Sequence, residues 1–552
     1  MGARGNSFVA FDYSTNSVTR QSSCLCAFHQ DSIIELKNVI SVWDNTRLNR
    51  PESTRSLTAP LKFSTRLLDG ETLPAIPYPP QQNYPPMKNK INYILLSAVA
   101  FILFTTNIAQ AAKPNFILIF IDDQGYGDLS CFGSQKIQTP NIDRLSTEGQ
   151  KFTSFMVASP VCTPSRAALL TGCYPKRVGM HQHVLFPSST RGLNPKEHTL
   201  GDHLKSEGYA TACFGKWHLG HHPEVLPTSN GFDTYYGIPY SNDMNHPDNK
   251  GKPKGGPDGM DILWKDPEST LTKWKTPLFQ DEAIVELPVD QRTVTRRYTQ
   301  KAIDFVKAHH DKPFFVYLPH SMPHIPLYVP DEVRDPDPKN AYINTIEHID
   351  EEVGRLLDVL DELKLSDNTY VIYTTDNGPW LSFKHHGGSA GPLRDGKGTT
   401  FEGGQRVPCL IRGPGIPAGT VCNELMGTID ILPTIAAITG KPLPKKNKID
   451  GMDMSRLWMG KAKKSPREEF VYYTSRGEIE GIRQGNWKLL VKKRRGQAAN
   501  EPQILLFDLS KDVGEKNNQA EEHPQIVNRL RSRMQQLDAE ITANARAAWF
   551  KE

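Results

Sequence analysis

Asp122 and Asp123 close one apolar run and Asp376 and Asn377 close another, and together they offer three carboxylates and an amide oxygen. An all-oxygen set of this kind suits a hard divalent cation, Ca²⁺ or less readily Mg²⁺, and is poor for zinc. Successive residues of a strand point to opposite faces, so Asp122 and Asp123 can share an ion only if the chain bends between them. Lys216 and His218 follow a third apolar run, and His320 and His324 a fourth. These add positive charge and imidazoles that move protons near neutral pH. Cys162 is a potential nucleophile. Residues 162–172 read as a short helix with Thr163 as N-cap, Pro164 at its first position and Gly172 at its end. Cys162 then sits at the positive end of the helix, where unpaired N–H groups favour an anion, and Arg166 lies one turn in. Singly, each residue has an ordinary alternative: a polar residue after a strand is often a turn or cap, a histidine can be a satisfied core residue, a cysteine can be paired. What argues for a site is that four strand ends carry such groups together.

The elements that must present these residues can be traced. Asn115–Ile121 is continuously apolar, the pattern of a strand buried on both faces of a parallel sheet. Thr139-Pro140 opens a helix through Leu145 that ends near Gly149, and Thr199 caps a helix that Gly208 ends before a strand at 209–214. A helix through Ala302, Ile303, Phe305 and Val306 leads to a strand at 314–318, and a long helix from Ile346 to Leu360 leads to one at 369–374. This alternation predicts a three-layer α/β domain with a mainly parallel sheet, and in such sheets ligands bind beyond the carboxyl ends of the strands. After Leu457 short strands are expected at 470–474, 481–484, 487–491 and 504–508. They are followed by a helix from Pro524 with Ile526, Leu530, Met534, Leu537 and Ile541 on one stripe. This reads as a small antiparallel α+β subdomain, so the expected division is a catalytic domain at 112–457 and a subdomain at 458–552. The basic, Pro-rich stretch 441–446 reads as a connector and Lys492 to Arg495 as an exposed hairpin tip.

In 552 residues, 65 Lys+Arg against 61 Asp+Glu leave a formal charge of +4, too weak a field to argue for nucleic acid or a charged membrane surface. An apolar content of 38% with 41 glycines excludes a collagen-like or largely disordered chain, and eight cysteines in this length are no disulfide scaffold. The apolar run 94–104 is too short to cross a bilayer comfortably. Lys88 and Lys90 precede it and Ala109-Gln110-Ala111 follows, so it reads as a secretory signal. Translation is expected to begin at Met87, with 87–111 a signal peptide and 1–86 a mis-assigned start or dispensable extension. The mature chain would be exported to a periplasm, the extracellular space or a lysosomal-type lumen, with no membrane span. Cys131, Cys162, Cys173, Cys213, Cys409 and Cys422 would remain, their pairing open.

Cys162-Thr163-Pro164-Ser165-Arg166, followed by Leu170-Thr171-Gly172, resembles the signature of type I sulfatases, in which a separate enzyme oxidises the Cys to Cα-formylglycine. Other segments keep the family's order: Ile121-Asp122-Asp123 with Gly125 and Gly127-Asp128, then Gly215-Lys216-Trp217-His218-Leu219-Gly220, Thr375-Asp376-Asn377-Gly378, and Gly396-Lys397 through Glu402-Gly403-Gly404. Tyr240-Ser241-Asn242-Asp243 is similar to the arylsulfatase A-like branch. The resemblance implies an alkaline-phosphatase-like α/β fold and one Ca²⁺ held by Asp122, Asp123, Asp376, Asn377 and the formylglycine at Cys162. It implies that Arg166 holds the formylglycine, with Lys216 and His218 beside it, and that Lys216, His324 and Lys397 contact the sulfate and leaving oxygen. His324 is the expected proton donor and His218 the expected base, with His320 a supporting candidate. The implied activity is hydrolysis of sulfate monoesters of the arylsulfatase type, on a sulfated carbohydrate or glycolipid, after maturation by a formylglycine-generating enzyme. The competing readings are a phosphatase or phosphonate hydrolase on the same fold, and a non-catalytic carbohydrate binder that keeps an unmodified Cys162. Phosphate, with its second negative charge, would favour a second metal, and the sequence supplies ligands for one.

Overall fold

A computed structural model describes residues 113–244, 256–268, 275–493 and 502–552. The expected extension 1–86 and signal peptide 87–111 lie outside the described residues. Among those described, no helix is long and apolar enough to cross a membrane.

The strand Asn115–Ile121 is buried along its whole length and pairs in parallel with Phe314–Pro319 on one side and Thr369–Thr375 on the other. It is the middle of an 11-stranded sheet. Beyond Phe314–Pro319 come Ala210–Phe214 and Thr234–Gly237, both parallel, and the antiparallel pair Leu278–Gln280 and Ala283–Glu286. Beyond Thr369–Thr375, Arg406–Arg412 runs antiparallel to both of its neighbours, the outer one being Gln150–Met156. The observed strands lie within one residue of the expected bounds at 209–214, 314–318 and 369–374.

Period-two alternation divides the apolar strand between two cores. Ile117, Ile119 and Ile121 face one core, packed with Ile142, Ile303, Val306, Ile349 and Leu356 of the helices Pro140–Thr147, Val294–Ala308 and Ala341–Glu362. Phe116, Leu118 and Phe120 face the other, with Leu169, Leu200 and Ile435 of Cys162–Thr171, Leu200–Ser206 and Ile431–Thr439. This is the three-layer α/β architecture expected. Thr199 closes a reciprocal capping box with Asp202, which pins the entry to its helix.

The strands Glu469–Tyr473, Ile479–Gln484, Trp487–Lys492 and Gln503–Asp508 form a separate four-stranded antiparallel sheet. On it packs the helix Pro524–Ala543 through Leu530, Met534 and Ile541. The same cluster includes Met156, Ala168 and Ile429, so this sheet backs onto the helix that carries Cys162. The six described cysteines are all free thiols.

Candidate active site

Asp122 and Asp123 both turn into one buried cluster because the chain bends between them: Asp123 adopts φ +64°, a left-handed conformation rare for a residue with a Cβ. The neighbouring strand end is stitched to this bend. Asp376 N–H donates to Ile121 O at 3.1 Å, Asp123 N–H to Asp376 Oδ1 at 3.2 Å and Gln124 N–H to Thr375 Oγ1 at 3.2 Å. Asn377 donates through Nδ2 to Asp123 Oδ1 at 2.7 Å, while its own Oδ1 is buried with no partner. An unpaired buried oxygen among three buried carboxylates is the environment a hard cation satisfies, so the donor set fits Ca²⁺. Carboxylate oxygens of Asp122 and Asp123, Sγ of Cys162 and a ring nitrogen of His324 lie within 4.8 Å of one another.

The helix Cys162–Thr171 begins two residues earlier than its sequence suggests. Val161 is the extended N-cap and Cys162 is the first helical residue. Thr163, expected as the cap, instead donates Oγ1–H to His218 O at 2.8 Å and accepts Leu185 N–H at 3.1 Å. Tertiary partners outcompete the local cap, and Cys162 stays at the N-terminal end. Every residue of this helix is buried, and Gly172 closes it at φ +66°.

Cations ring the carboxylates. Arg166, fully buried, places Nε 3.1 Å and Nη2 2.8 Å from Asp376 Oδ2, and donates Nη1–H to Lys216 O at 3.0 Å. Its Nη2 is also 3.5 Å from Asp122 Oδ2. Lys216 Nζ pairs with Asp122 and donates to Ser241 Oγ at 2.6 Å. Lys397 Nζ lies 2.7 Å from Asp123 Oδ2 and 3.7 Å from Cys162 Sγ, over the ring of Trp380. Burial alone would raise Asp122, yet Lys216 and Arg166 hold its carboxyl well below the usual range. Asp376 is pushed up to about 7 by burial and by Asp122. Burial, then Asp122 and Asp376, push the Cys162 thiol well above its ordinary value. Burial and these carboxylates thus oppose the effect of the helix terminus on the thiol.

The imidazoles are oriented. His324 Nδ1 sits 2.7 Å from Ile325 O and 3.1 Å from Asn242 Oδ1, which leaves Nε2 toward the cluster, 3.3 Å from Ser241 Oγ and 3.7 Å from Asp123 Oδ2. Burial and then Lys397 lower its pKa to about 3. His218, at φ +58°, bonds Leu185 O through Nε2 at 2.9 Å and has no partner at Nδ1. Burial and then Lys216 hold it well below its ordinary range. His320 is not brought into this hydrogen-bond network: both its ring nitrogens are buried and unbonded, beside Tyr298. Ser241, Asn242 and Trp380 belong to the site, although the sequence alone assigns them no role. Ser241 and Asn242 carry the same signal as the rest, polar residues just beyond the strand Thr234–Gly237. Trp380, which packs 5.5 Å from the His324 ring, carries no such signal.

Several known proteins resemble this chain along most of its length. The Sulfatase family model matches residues 114–441, and a model described as N-sulphoglucosamine sulphohydrolase, C-terminal, matches 396–540. The chain is 37% identical to arylsulfatase A of Homo sapiens over 471 residues, 79% of this chain and 90% of that one. It is 37% identical to N-acetylgalactosamine-6-sulfatase of Sus scrofa over 375 residues (66% and 69%), and 32% identical to steryl-sulfatase of Mus musculus over 545 residues (82% and 86%). Among solved structures, a sulfatase from Pseudoalteromonas sp. superposes with TM-score 0.68 at 25% identity, covering 84% of this chain and 97% of that one. Ps i-CgsB, solved with k-i-k-neocarrahexaose, gives 0.65 at 30% identity, covering 80% and 95%.

Proposed function

Because the chain belongs to the sulfatase family and hydrolyses sulfate esters, we propose that it does so with one Ca²⁺ and a Cα-formylglycine made from Cys162 by a separate maturation enzyme. The observation that carries this reading is the unpaired Asn377 oxygen among three buried carboxylates, with Cys162 Sγ 3.4 Å from Asp122 Oδ1.

Asp122, Asp123, Asp376, Asn377 and the residue-162 side chain would hold the ion, which would polarise a sulfate oxygen and lower the pKa of the attacking hydroxyl. The hydrated aldehyde would supply two hydroxyls on one carbon, one to attack sulfur and one whose ionisation re-forms the carbonyl and expels sulfate without a second attack at sulfur. The chain's own groups orient and neutralise. Arg166 is locked by Asp376 and the Lys216 carbonyl, so its position is set before substrate arrives. Lys216 and Lys397 bring charge to the sulfate oxygens, each such contact amounting to about 4 kcal/mol at about 4 Å and an effective dielectric near 20. With Nδ1 engaged by Ile325 O, Nε2 of His324 is the nitrogen that faces the leaving oxygen. Burial and Lys397 hold the ring neutral, so it would protonate that oxygen only after an anionic substrate offsets Lys397 and charges the ring. With Nε2–H of His218 donated to Leu185 O, Nδ1 remains to take the proton of the second hydroxyl.

The substrate class on this reading is a sulfated carbohydrate or glycolipid. It is supported by relatives whose names include an N-acetylgalactosamine sulfatase and by the neocarrahexaose bound to a structural neighbour. Residues 112–457 would be the catalytic domain and 458–552 a subdomain. The chain would be exported behind the signal at 87–111, which exposes it to the calcium it needs.

The test is hydrolysis of nitrophenyl sulfate against nitrophenyl phosphate, with and without a calcium chelator, alongside the mass of the peptide that contains residue 162. Sulfate turnover that chelation abolishes, with a peptide lighter than its cysteine form, is expected. A fully active enzyme carrying a homogeneous thiol there would overturn the formylglycine assignment.

A further inference from the structure

Away from the catalytic cluster, one other group of metal-ligating side chains converges among the described residues. Asp261 comes from the helix Pro257–Lys265, and His385 and His386 come from the turn Leu381–His386. Nε2 of His385 lies 2.7 Å, and Nε2 of His386 2.8 Å, from the same oxygen, Oδ1 of Asp261. We propose that Asp261, His385 and His386 form a second metal site, suited to a borderline transition ion such as Zn²⁺ rather than to Ca²⁺.

The donor chemistry makes the choice of ion. Two imidazoles and one carboxylate are the ligands of zinc and its first-row neighbours, whereas calcium needs six or more oxygens. Three protein ligands leave a fourth tetrahedral position for water. Asp261 and His385 are 29% and 30% exposed, and His385 also lines a cleft of about 570 Å³, so both the water and the incoming ion have a route. His386 is buried, and its Nδ1 has no protein partner. With Nε2 on a metal the ring proton moves to Nδ1, a buried donor that the protein leaves unpaired, and the metal bond at Nε2 has to outweigh that cost.

Adjacent side chains normally diverge, and these two meet on one oxygen. Lys384, immediately before them, adopts φ +52° and ψ −115°, an excursion that turns the pair toward the helix. The turn starts one residue after Trp380, whose ring underlies Lys397 Nζ at 4.3 Å and packs beside His324. An ion at this place would tie the helix Pro257–Lys265 to the wall of the catalytic site.

The experiment uses the full chain loaded with Ca²⁺, dialysed against Zn²⁺, with bound metal measured by elemental analysis and the unfolding midpoint by calorimetry. A single zinc equivalent is expected to remain in calcium excess and to raise the midpoint. His385→Gln and Asp261→Asn should each weaken zinc binding at least about tenfold and remove the midpoint shift, with calcium content and circular dichroism unchanged. Cys162→Ala should keep the zinc. Absence of retained zinc, equal retention in both site variants, or loss of zinc from Cys162→Ala, which would place the ion in the catalytic cluster, would each overturn the proposal.

Discussion

Asn377 commits its amide donor to Asp123 Oδ1 at 2.7 Å and keeps its own Oδ1 buried and unbonded, a pairing across 254 residues of chain. If that oxygen is a calcium ligand, the metal stabilises the fold by mass action, by about 2.7 kcal/mol at a free concentration of 100 times the dissociation constant. Chelation should therefore lower the wild-type unfolding midpoint. Asn377→Ala should bind calcium at least about tenfold more weakly and lose most of the chelator effect, read by calorimetry with and without calcium.

Cys162 is buried at the start of a fully buried helix, and its Sγ makes only long contacts with Asp122 and Lys397. Cys162→Ala should leave folding intact, still bind calcium through the four remaining ligands though more weakly, and reduce sulfatase turnover at saturating calcium by a factor on the order of 10³ or more. Cys162→Ser, which has no second hydroxyl to release the sulfate, should not restore turnover. Steady-state kinetics on nitrophenyl sulfate check both; a Ser variant with wild-type turnover would sink the diol argument.

Lys488 lies on the four-stranded sheet and is fully buried between Glu402 Oε1 at 3.0 Å and Glu515 Oε1 at 2.8 Å. Glu515 also accepts Glu402 N–H at 2.7 Å, which anchors the loop that carries Lys397. Lys488→Met leaves Glu515 without its cation and Glu402 with only the longer contacts to Arg406 at 3.5 Å and Arg483 at 3.9 Å, and should cost about 3 kcal/mol in urea unfolding. It should also lower kcat more than it raises KM, as Lys397 loses its support, with Lys488→Arg recovering part of both.

His320 is buried with neither ring nitrogen bonded, and burial lowers its pKa to about 3. The unfolded chain binds a proton there below about pH 6.5 while the folded chain does not. Stability is therefore fully present above pH 6.5 and falls as pH drops toward 3, by at most about 1.4 kcal/mol per pH unit from this group. His320→Leu should flatten that part of the stability profile while keeping activity at neutral pH. An unchanged slope would place the acid sensitivity elsewhere.

Much of the site is legible in the order of residues because a buried parallel strand is continuously apolar and stops at its carboxyl end. Asp122, Lys216, His324 and Asp376 therefore stand out against Asn115–Ile121, Ala210–Phe214, Phe314–Pro319 and Thr369–Thr375. Thr163 reads wrongly as a cap because its residue type favours one, while its hydroxyl is taken up by His218 O and Leu185 N from outside the helix. His320 is legible as a histidine after a strand and illegible as an isolated one, since nothing local shows that both its nitrogens go unbonded.

Residue types and their order along the chain were enough for the layer architecture, the strand ends and the candidate groups those ends carry, since burial and period act locally. Only the tertiary structure decided the left-handed bend that lets Asp122 and Asp123 share one cluster, the seating of Lys397 between Asp123 and Cys162, the entry of Ser241, Asn242 and Trp380, and the meeting of Asp261 with His385 and His386. Those are contacts between segments tens to hundreds of residues apart. Their energies depend on distances that packing sets and that no window of sequence contains.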